Sequence, residues 1–259
     1  MKGAGAPNGR RERPASGPPG RRCYAIGDIH GRLDRLEELL GLIEAHHRDH
    51  PGPEAVIVSL GDIVDRGPQS RQVIERLMAG VAFASRLIVL KGNHEEMFLK
   101  SLTGARSSLE GWLAAGGAAC AASYGLSPPL LAQISPEAAA HNLASAIPPS
   151  HIAFLESLPD SVKFGDYLLV HAGIRPGRPL EEQSPKDLRW IRQGFLDSRV
   201  IHDWMVIHGH SVTPEMEEKP NRIGIDTGAW ATGRLTALWI EGEARGFLQT
   251  EPDPPPPEA

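Results

Sequence analysis

The chain has 259 residues, 41% hydrophobic and 23% charged, with a formal net charge of −5. These values belong to an ordinary globular protein and exclude a wholly disordered chain, a coiled coil or a collagen-like fibre. No apolar run approaches the roughly 18 residues that span a bilayer, so no membrane partner is expected. The acidic balance, which deepens once the basic N-terminal stretch is set aside, argues against nucleic acid as a partner.

Residues 1–21, rich in Gly, Pro and Arg, read as a disordered basic leader without the apolar segment of a secretory signal. Cys23 and Cys120 form neither a disulfide framework nor a C-x-x-C motif, so a reducing cytoplasm is the expected location. Residues 22–250 read as the folded body. Residues 251–259, ending in the Pro254–Pro257 run, read as a disordered tail.

Within the body, Arg22–Ile26 predicts a strand, Gly27–Gly31 a loop, and Leu33, Leu36, Leu39, Leu40 and Ile43 recur at helical spacing. The same order returns twice. Ala55–Leu60 is a strand, Gly61–Pro68 a loop, and Val73, Ile74, Leu77 and Met78 mark a helix; Arg86–Leu90, Lys91–His94 and Glu95–Leu102 follow suit. Three strand-loop-helix units predict an α/β fold with parallel strands, whose ligands sit at the carboxyl ends of the strands. Residues 103–150, Ala-rich with Gly116-Gly117, Pro128-Pro129 and Pro148-Pro149, predict short helices inserted as a small cap. Beyond them, Val162–Phe164 and Tyr167–Val170 predict a hairpin. Strands are also expected at Met205–Ile207, Ile223–Ile225, Leu235–Ile240 and Gly246–Leu248, giving a mixed or antiparallel second half.

Each early strand runs into a loop bearing potential ligands: Gly27-Asp28-Ile29-His30-Gly31, Gly61-Asp62-Ile63-Val64-Asp65-Arg66-Gly67 and Gly92-Asn93-His94-Glu95. Two later loops, Val170-His171-Ala172-Gly173 and Ile207-His208-Gly209-His210-Ser211, add histidines. Taken singly, each is also what a turn or a helix N-cap looks like. Together they place carboxylate, imidazole and amide oxygen at one sheet edge, the mixed donor set of a hard to borderline divalent metal.

In this order the motifs resemble the phosphoprotein phosphatase family, the serine/threonine protein phosphatase type of calcineurin-like metallophosphoesterases. The segment Ile225-Asp226-Thr227-Gly228-Ala229 is similar to its bacterial and phage branch. The resemblance covers roughly Tyr24 to Leu238. It implies a sandwich of two mixed β-sheets flanked by helices, residues 22–250 forming the catalytic domain with the cap inserted at about 103–150. Carried over, it implies that Asp28 and His30 hold one metal, that Asp62 bridges, and that Asn93, His171 and His210 hold the second. His208 is left as a supporting or structural residue. A carboxylate bridging two cations roughly 3.5–4 Å apart suits phosphoryl transfer, with a hydroxide shared by both metals as the nucleophile.

By the same resemblance His94 protonates the leaving oxygen, Asp65 orients its ring, and Arg66 grips the phosphate; Arg192, in Trp190-Ile191-Arg192, is favoured over Arg175 and Arg189 as a second clamp. The implied activity is a dimetal phosphomonoesterase, a serine/threonine or dual-specificity protein phosphatase. Its substrate is a phosphoprotein or small phosphoester, and its cofactors are two divalent ions, Mn2+ foremost, with Fe, Zn, Co or Ni as others. Two alternatives accompany it: a symmetrical diadenosine tetraphosphate hydrolase, and a catalytically silent phosphoprotein-binding module. The cap offers chiefly Trp112 and Tyr124 for stacking on adenine, which favours an open site for protein substrates.

Overall fold

A computed structural model describes residues 13–254. Among them lie strands β1 (Arg21–Ile26), β2 (Glu54–Ser59), β3 (Arg86–Val89), β4 (Ser161–Phe164), β5 (Tyr167–Val170), β6 (Met205–His208), β7 (Glu217–Lys219), β8 (Arg222–Gly224), β9 (Thr236–Glu241) and β10 (Ala244–Gln249). They form two five-stranded sheets, ordered β10-β9-β1-β2-β3 and β4-β5-β6-β8-β7. The β1-β2-β3 and β5-β6-β8 pairings are parallel, and antiparallel strands complete each sheet, so both are mixed.

The pleat sorts the side chains into layers. Cys23, Ala25, Val56 and Val58 point inward and meet Tyr167, Leu169, Ile207, Ile223 and Ile225 of the second sheet. Their neighbours Tyr24, Ile26, Ala55 and Ile57 face outward beneath helices. On the far side of the second sheet, Leu168, Val170 and Val206 pack against Leu188 and Phe195. Because β1 and β2 are covered on both faces, they read as continuous apolar runs rather than alternating ones.

The helical layer on the first sheet begins with α1 (Leu33–Asp49), α2 (Ser70–Met78) and α3 (Asn93–Ser101). It continues through the predicted cap as α4 (Arg106–Trp112), α5 (Ala118–Ser123), α6 (Pro128–Gln133) and α7 (Pro136–Ala146), and past the expected end of the cap at residue 150 as α8 (Pro149–Ser157). These cap helices thicken the layer around α2 and α3 and share its core, with Trp112, Cys120, Leu143 and Leu155 fully buried. Pro opens α6, α7, α8 and α9 (Pro185–Trp190), where a missing N–H costs nothing. The last helix among the described residues is the short α10 (Ala229–Thr232), which precedes β9. No helix among the described residues is long and apolar enough to cross a membrane.

Three expectations need correction. The leader is ordered from residue 13: Ala15 is buried, Ser16 N donates to Asp166 Oδ2 at 3.0 Å, Tyr167 Oη donates to Ala15 O at 3.0 Å and Gly17 N to Gly242 O at 2.8 Å. The turns joining β4 to β5 and β9 to β10 supply partners that a composition argument does not see, and residues 1–12 lie outside the described ones. The tail is ordered as far as residue 254. Asp253 pairs with Arg32 at 2.8 Å and with Arg35 at 2.5 Å, while residues 255–259 lie outside. Finally, β9 and β10 return to the first sheet beside β1 instead of extending the second.

Candidate metal centre and active site

The carboxyl ends of β1, β2, β3, β5 and β6 converge, and their loops are stitched together by backbone bonds. His30 N donates to Asp62 O at 2.9 Å, Leu60 N to Ile26 O at 2.9 Å and Gly209 N to His171 O at 2.8 Å. The buried Glu95 carboxylate binds the second loop to the third, accepting from Asp62 N at 2.9 Å, Ile63 N at 2.9 Å and Gly92 N at 2.7 Å. Burial, reinforced by the charge of Asp62, pushes its carboxyl up to about 7. The non-glycine residues with positive φ among the described ones are His30, Asp62, Asp65, Arg66 and His210, all of them in these loops. Each such conformation costs of order 1 kcal/mol, and strain of this kind collects where side chains must be aimed.

Asp62 sits at the centre. Its Oδ2 lies 3.7 Å from His30 Nε2 and 3.9 Å from His94 Nε2, and its Oδ1 lies 3.4 Å from His171 Nε2. Two groups of metal-type donors therefore share it: His30, Asp62 and His94 on one side, Asp62, His171 and His210 on the other. Asn93 joins the second group, its Oδ1 2.9 Å from His171 Nε2. Asp28 is buried at the same edge, but its carboxylate accepts from the His210 amide at 3.1 Å and falls outside both groups.

The ring orientations suit a cation. His30 Nδ1 lies 2.8 Å from Val64 O, and His171 Nδ1 lies 2.9 Å from Leu60 O. A carbonyl only accepts, so each ring carries a proton on Nδ1 and turns Nε2 into the site, as metal-binding histidines do. His30 Nε2 and His210 Nε2 are buried with no hydrogen-bond partner, and burial lowers both imidazoles to about 3, leaving their lone pairs free. Burial also lowers His171, but Asp62 outweighs it and the net shift is upward. The Asp62 carboxyl, which burial would raise, is held well below its usual range by His171 and His94. A proton on His171 Nε2 thus faces two acceptors, Asn93 Oδ1 and Asp62 Oδ1, a place that a divalent cation fills with release of that proton. Asp28 and Asp226, both buried, are pushed up by that burial first and by neighbouring carboxylates, a negative surplus that cations would offset. The residues present therefore fit a pair of divalent ions sharing Asp62.

Beside this cluster, His94 Nδ1 donates to Asp65 Oδ2 at 2.7 Å and Trp112 Nε1 donates to Asp65 Oδ1 at 2.9 Å. Burial lowers the His94 ring, yet Asp62 and Asp65 together raise it. Arg66 Nη2 lies 3.1 Å from His94 Nε2. The backbone of Arg66 is held by the cap: its N donates to Gly116 O at 3.0 Å, and Gly116, at φ 119°, has no room for a Cβ, which would fall 2.7 Å from Arg66 Cγ. Arg192 lies at the rim, its Nη2 donating to His210 O at 3.1 Å. Arg175 and Arg189 are engaged elsewhere, Arg175 with Asp187 at 2.6 Å and Arg189 with Asp160 at 2.6 Å.

His208, between Gly209 O at 3.1 Å and Arg222 Nη1 at 3.3 Å, belongs to neither donor group. Sequence reasoning passed over Glu95, Trp112 as a partner of Asp65, and Asp226. Glu95 and Asp226 stand inside the quoted motifs, so a signal existed; Trp112 had none, because its partner lies 47 positions away. Tyr124, the other cap aromatic, is buried and bonded to His151 Nδ1 at 2.9 Å, so neither ring offers a stacking surface.

The model of the family described as calcineurin-like phosphoesterase matches residues 21–229. Serine/threonine-protein phosphatase 1 of Salmonella typhimurium is 27% identical over 229 residues, 85% of this chain and 93% of that protein. A symmetrical bis(5'-nucleosyl)-tetraphosphatase of Janthinobacterium sp. strain Marseille is 28% identical over 261 residues, 83% of this chain and 91% of that protein. Among solved structures, one titled provisionally as a diadenosine tetraphosphatase superposes with a TM-score of 0.62 at 22% identity, covering 91% of this chain and 98% of that one, a likeness of fold.

Proposed function

This chain belongs to the calcineurin-like phosphoesterase family and is a hydrolase of phosphoesters, and from that premise we propose that it is a dimetal phosphomonoesterase acting on phosphoserine and phosphothreonine in proteins. The observation that carries the reading is Asp62 shared between two donor groups, with the Asp65–His94 pair directly beside it.

In this proposal His30, Asp62, Asn93, His171 and His210 hold two divalent ions, Mn2+ by preference, and Asp28 joins them as a buried carboxylate that feels the charges of Asp62 and Asp226. Such ions, when bound, neutralise phosphate charge and make water available as a nucleophile near neutral pH. The protein's residues do the rest. Arg66 and Arg192 orient the phosphate from two sides, the first from the floor and the second from the rim. Once Arg66 turns from His94 to the phosphate, His94 Nε2 is free to take up a proton and give it to the leaving oxygen, and Asp65 fixes the ring and favours its charged form. The two cysteines, both unpaired and buried, support a reducing cytoplasm.

The dinucleotide alternative draws on relatives of that name, but the cap aromatics that would grip adenine are buried. A silent binding module would not need the complete donor set seen here. The test is kcat/KM with Mn2+ for a phosphoserine or phosphothreonine peptide and for diadenosine tetraphosphate, with and without chelator. A chelator-sensitive preference for the peptide supports the proposal, a preference for the dinucleotide replaces it, and no turnover of either leaves the binding module.

A further inference from the structure

Among the described residues, the large apolar side chains left exposed are Leu42, Met78, Leu130, Val212 and Trp230, and Trp230 is the one with an aromatic ring. Its indole is 44% exposed, yet it lies directly at the site. The Arg66 guanidinium stands over it, Cζ 5.1 Å from the ring centroid, and Arg66 Nη2 in turn reaches His94 Nε2 at 3.1 Å. Indole, guanidinium and imidazole thus run in unbroken contact from the rim to the atom assigned to protonate the leaving oxygen.

The backbone beneath Trp230 is held with more bonds than a four-residue helix makes for itself. Arg32 Nη1 donates to Ala229 O at 3.0 Å, Asp253 N to Thr232 O at 2.7 Å and Thr232 Oγ1 to Thr227 O at 3.0 Å. Gly228, at φ 70°, donates to Asp226 Oδ1 at 3.0 Å, and a Cβ there would fall 2.9 Å from Val212 Cγ1. Packing does not account for this effort, since the buried residue of α10 is Ala229 and its large side chain faces water.

We infer that the exposed face of Trp230 is a subsite for the leaving group, and that it extends the substrates beyond phosphoserine and phosphothreonine to aryl phosphomonoesters, of which a phosphotyrosyl side chain is the peptide form. The inference rests on the phosphomonoesterase reading and deepens it. A ring esterified directly to the phosphate held by Arg66 lies one guanidinium's width from the indole and can stack against it offset or edge-on. The alkyl leaving group of phosphoserine has no face to offer. A purine, spaced from its phosphate by a ribose, reaches beyond that position.

The experiment compares two peptides differing only in phosphotyrosine or phosphoserine, with diadenosine tetraphosphate as a third substrate, on wild type, Trp230→Ala and Trp230→Phe with Mn2+. Calorimetric binding of phenylphosphonate and methylphosphonate to the same proteins accompanies it. Trp230→Ala is expected to lower kcat/KM for the phosphotyrosine peptide about tenfold more than for the phosphoserine peptide, with Phe keeping the ratio within about threefold. Phenylphosphonate is expected to bind wild type more tightly than methylphosphonate and to lose that advantage in Trp230→Ala. Equal loss on both peptides would mean that Trp230 acts only through Arg66, and would overturn the subsite; so would no loss, or a loss confined to the dinucleotide. Wild type that hydrolyses neither peptide would sink the phosphomonoesterase reading, while the phosphonate pair still decides the subsite.

Discussion

The two oxygens of Asp65 are divided between the cap and the site: Trp112 Nε1 holds Oδ1 at 2.9 Å, and His94 Nδ1 holds Oδ2 at 2.7 Å. Trp112 is fully buried, so this bond competes with no water. It fixes the rotation of the carboxylate and thereby the plane of the imidazole. Without it Asp65 keeps its charge but gains freedom to turn. Trp112→Phe, which keeps most of the ring, is expected to lower kcat about tenfold on a phosphoserine peptide, in line with losing a hydrogen bond to a charged group. The loss should be smaller on p-nitrophenyl phosphate, whose leaving group needs little protonation. Steady-state rates on both substrates check this, and an equal loss on both would remove Trp112 from the acid's support.

Asp62 is the residue that both donor groups need. Mn2+ bound to the folded chain but not the unfolded one raises stability by about 2.7 kcal/mol at a hundredfold excess over its Kd. Wild type should show that rise in thermal midpoint with added Mn2+ and its reversal by chelator. Asp62→Asn should abolish the Mn2+-dependent shift and lower activity by at least about a hundredfold. His208→Gln should keep the Mn2+ shift while lowering the baseline midpoint, since His208 lies outside the donor groups and holds Gly209 and Arg222. Metal content after gel filtration provides the independent count.

The legibility of this molecule follows from how local each signal is. Runs such as Ala55–Leu60 report β2 because both of its faces are buried by the chain itself. The ligand-bearing loops are legible because each directly follows its strand. The docking of β9 beside β1 is not legible, because nothing in Thr236–Glu241 records which sheet it joins, and sequential strands are usually neighbours. β7, a three-residue edge strand reading Glu217-Glu218-Lys219, has no apolar alternation to find. The strain at His30, Asp62, Asp65, Arg66 and His210 runs against local preference, as expected where function overrides it.

Asp253 gives a pH dependence away from the metal ligands. Its hydrogen bond to Arg32 holds the carboxyl down to about 2, with Arg35 adding to the effect against partial burial, from an ordinary value of 3.8. A carboxylate depressed by folding stabilises the fold above its unfolded pKa, and that contribution is lost as pH falls from about 4 toward 2. The pair is about one third exposed at Asp253, so screening keeps the gain below about 1 kcal/mol. Asp253→Asn should therefore lower the thermal midpoint slightly at pH 7, with a difference that narrows by pH 3 and in high salt. Melting curves of both proteins across that range check it. A difference independent of pH would locate the effect in the Asp253 backbone bond to Thr232 instead.

The two arginines proposed to hold the phosphate should separate kinetically. Arg66 is half-buried, with its backbone at φ 65° and its guanidinium against His94, so removing it disturbs both the phosphate and the proton donor. Arg66→Ala is expected to lower kcat about a hundredfold or more, and Arg66→Lys to recover little, because an ammonium cannot reproduce the planar fork. Arg192 is exposed and anchored by one bond to His210 O, where it meets substrate arriving from solvent. Screened by water, its contribution to the ground state and the transition state should be similar. Arg192→Ala should then act mainly on KM, raising it about three- to tenfold, with the smaller part of the loss in kcat. Steady-state constants for both variants at two salt concentrations decide the assignment. A loss falling chiefly on kcat in Arg192→Ala would move Arg192 from the rim into the transition-state clamp.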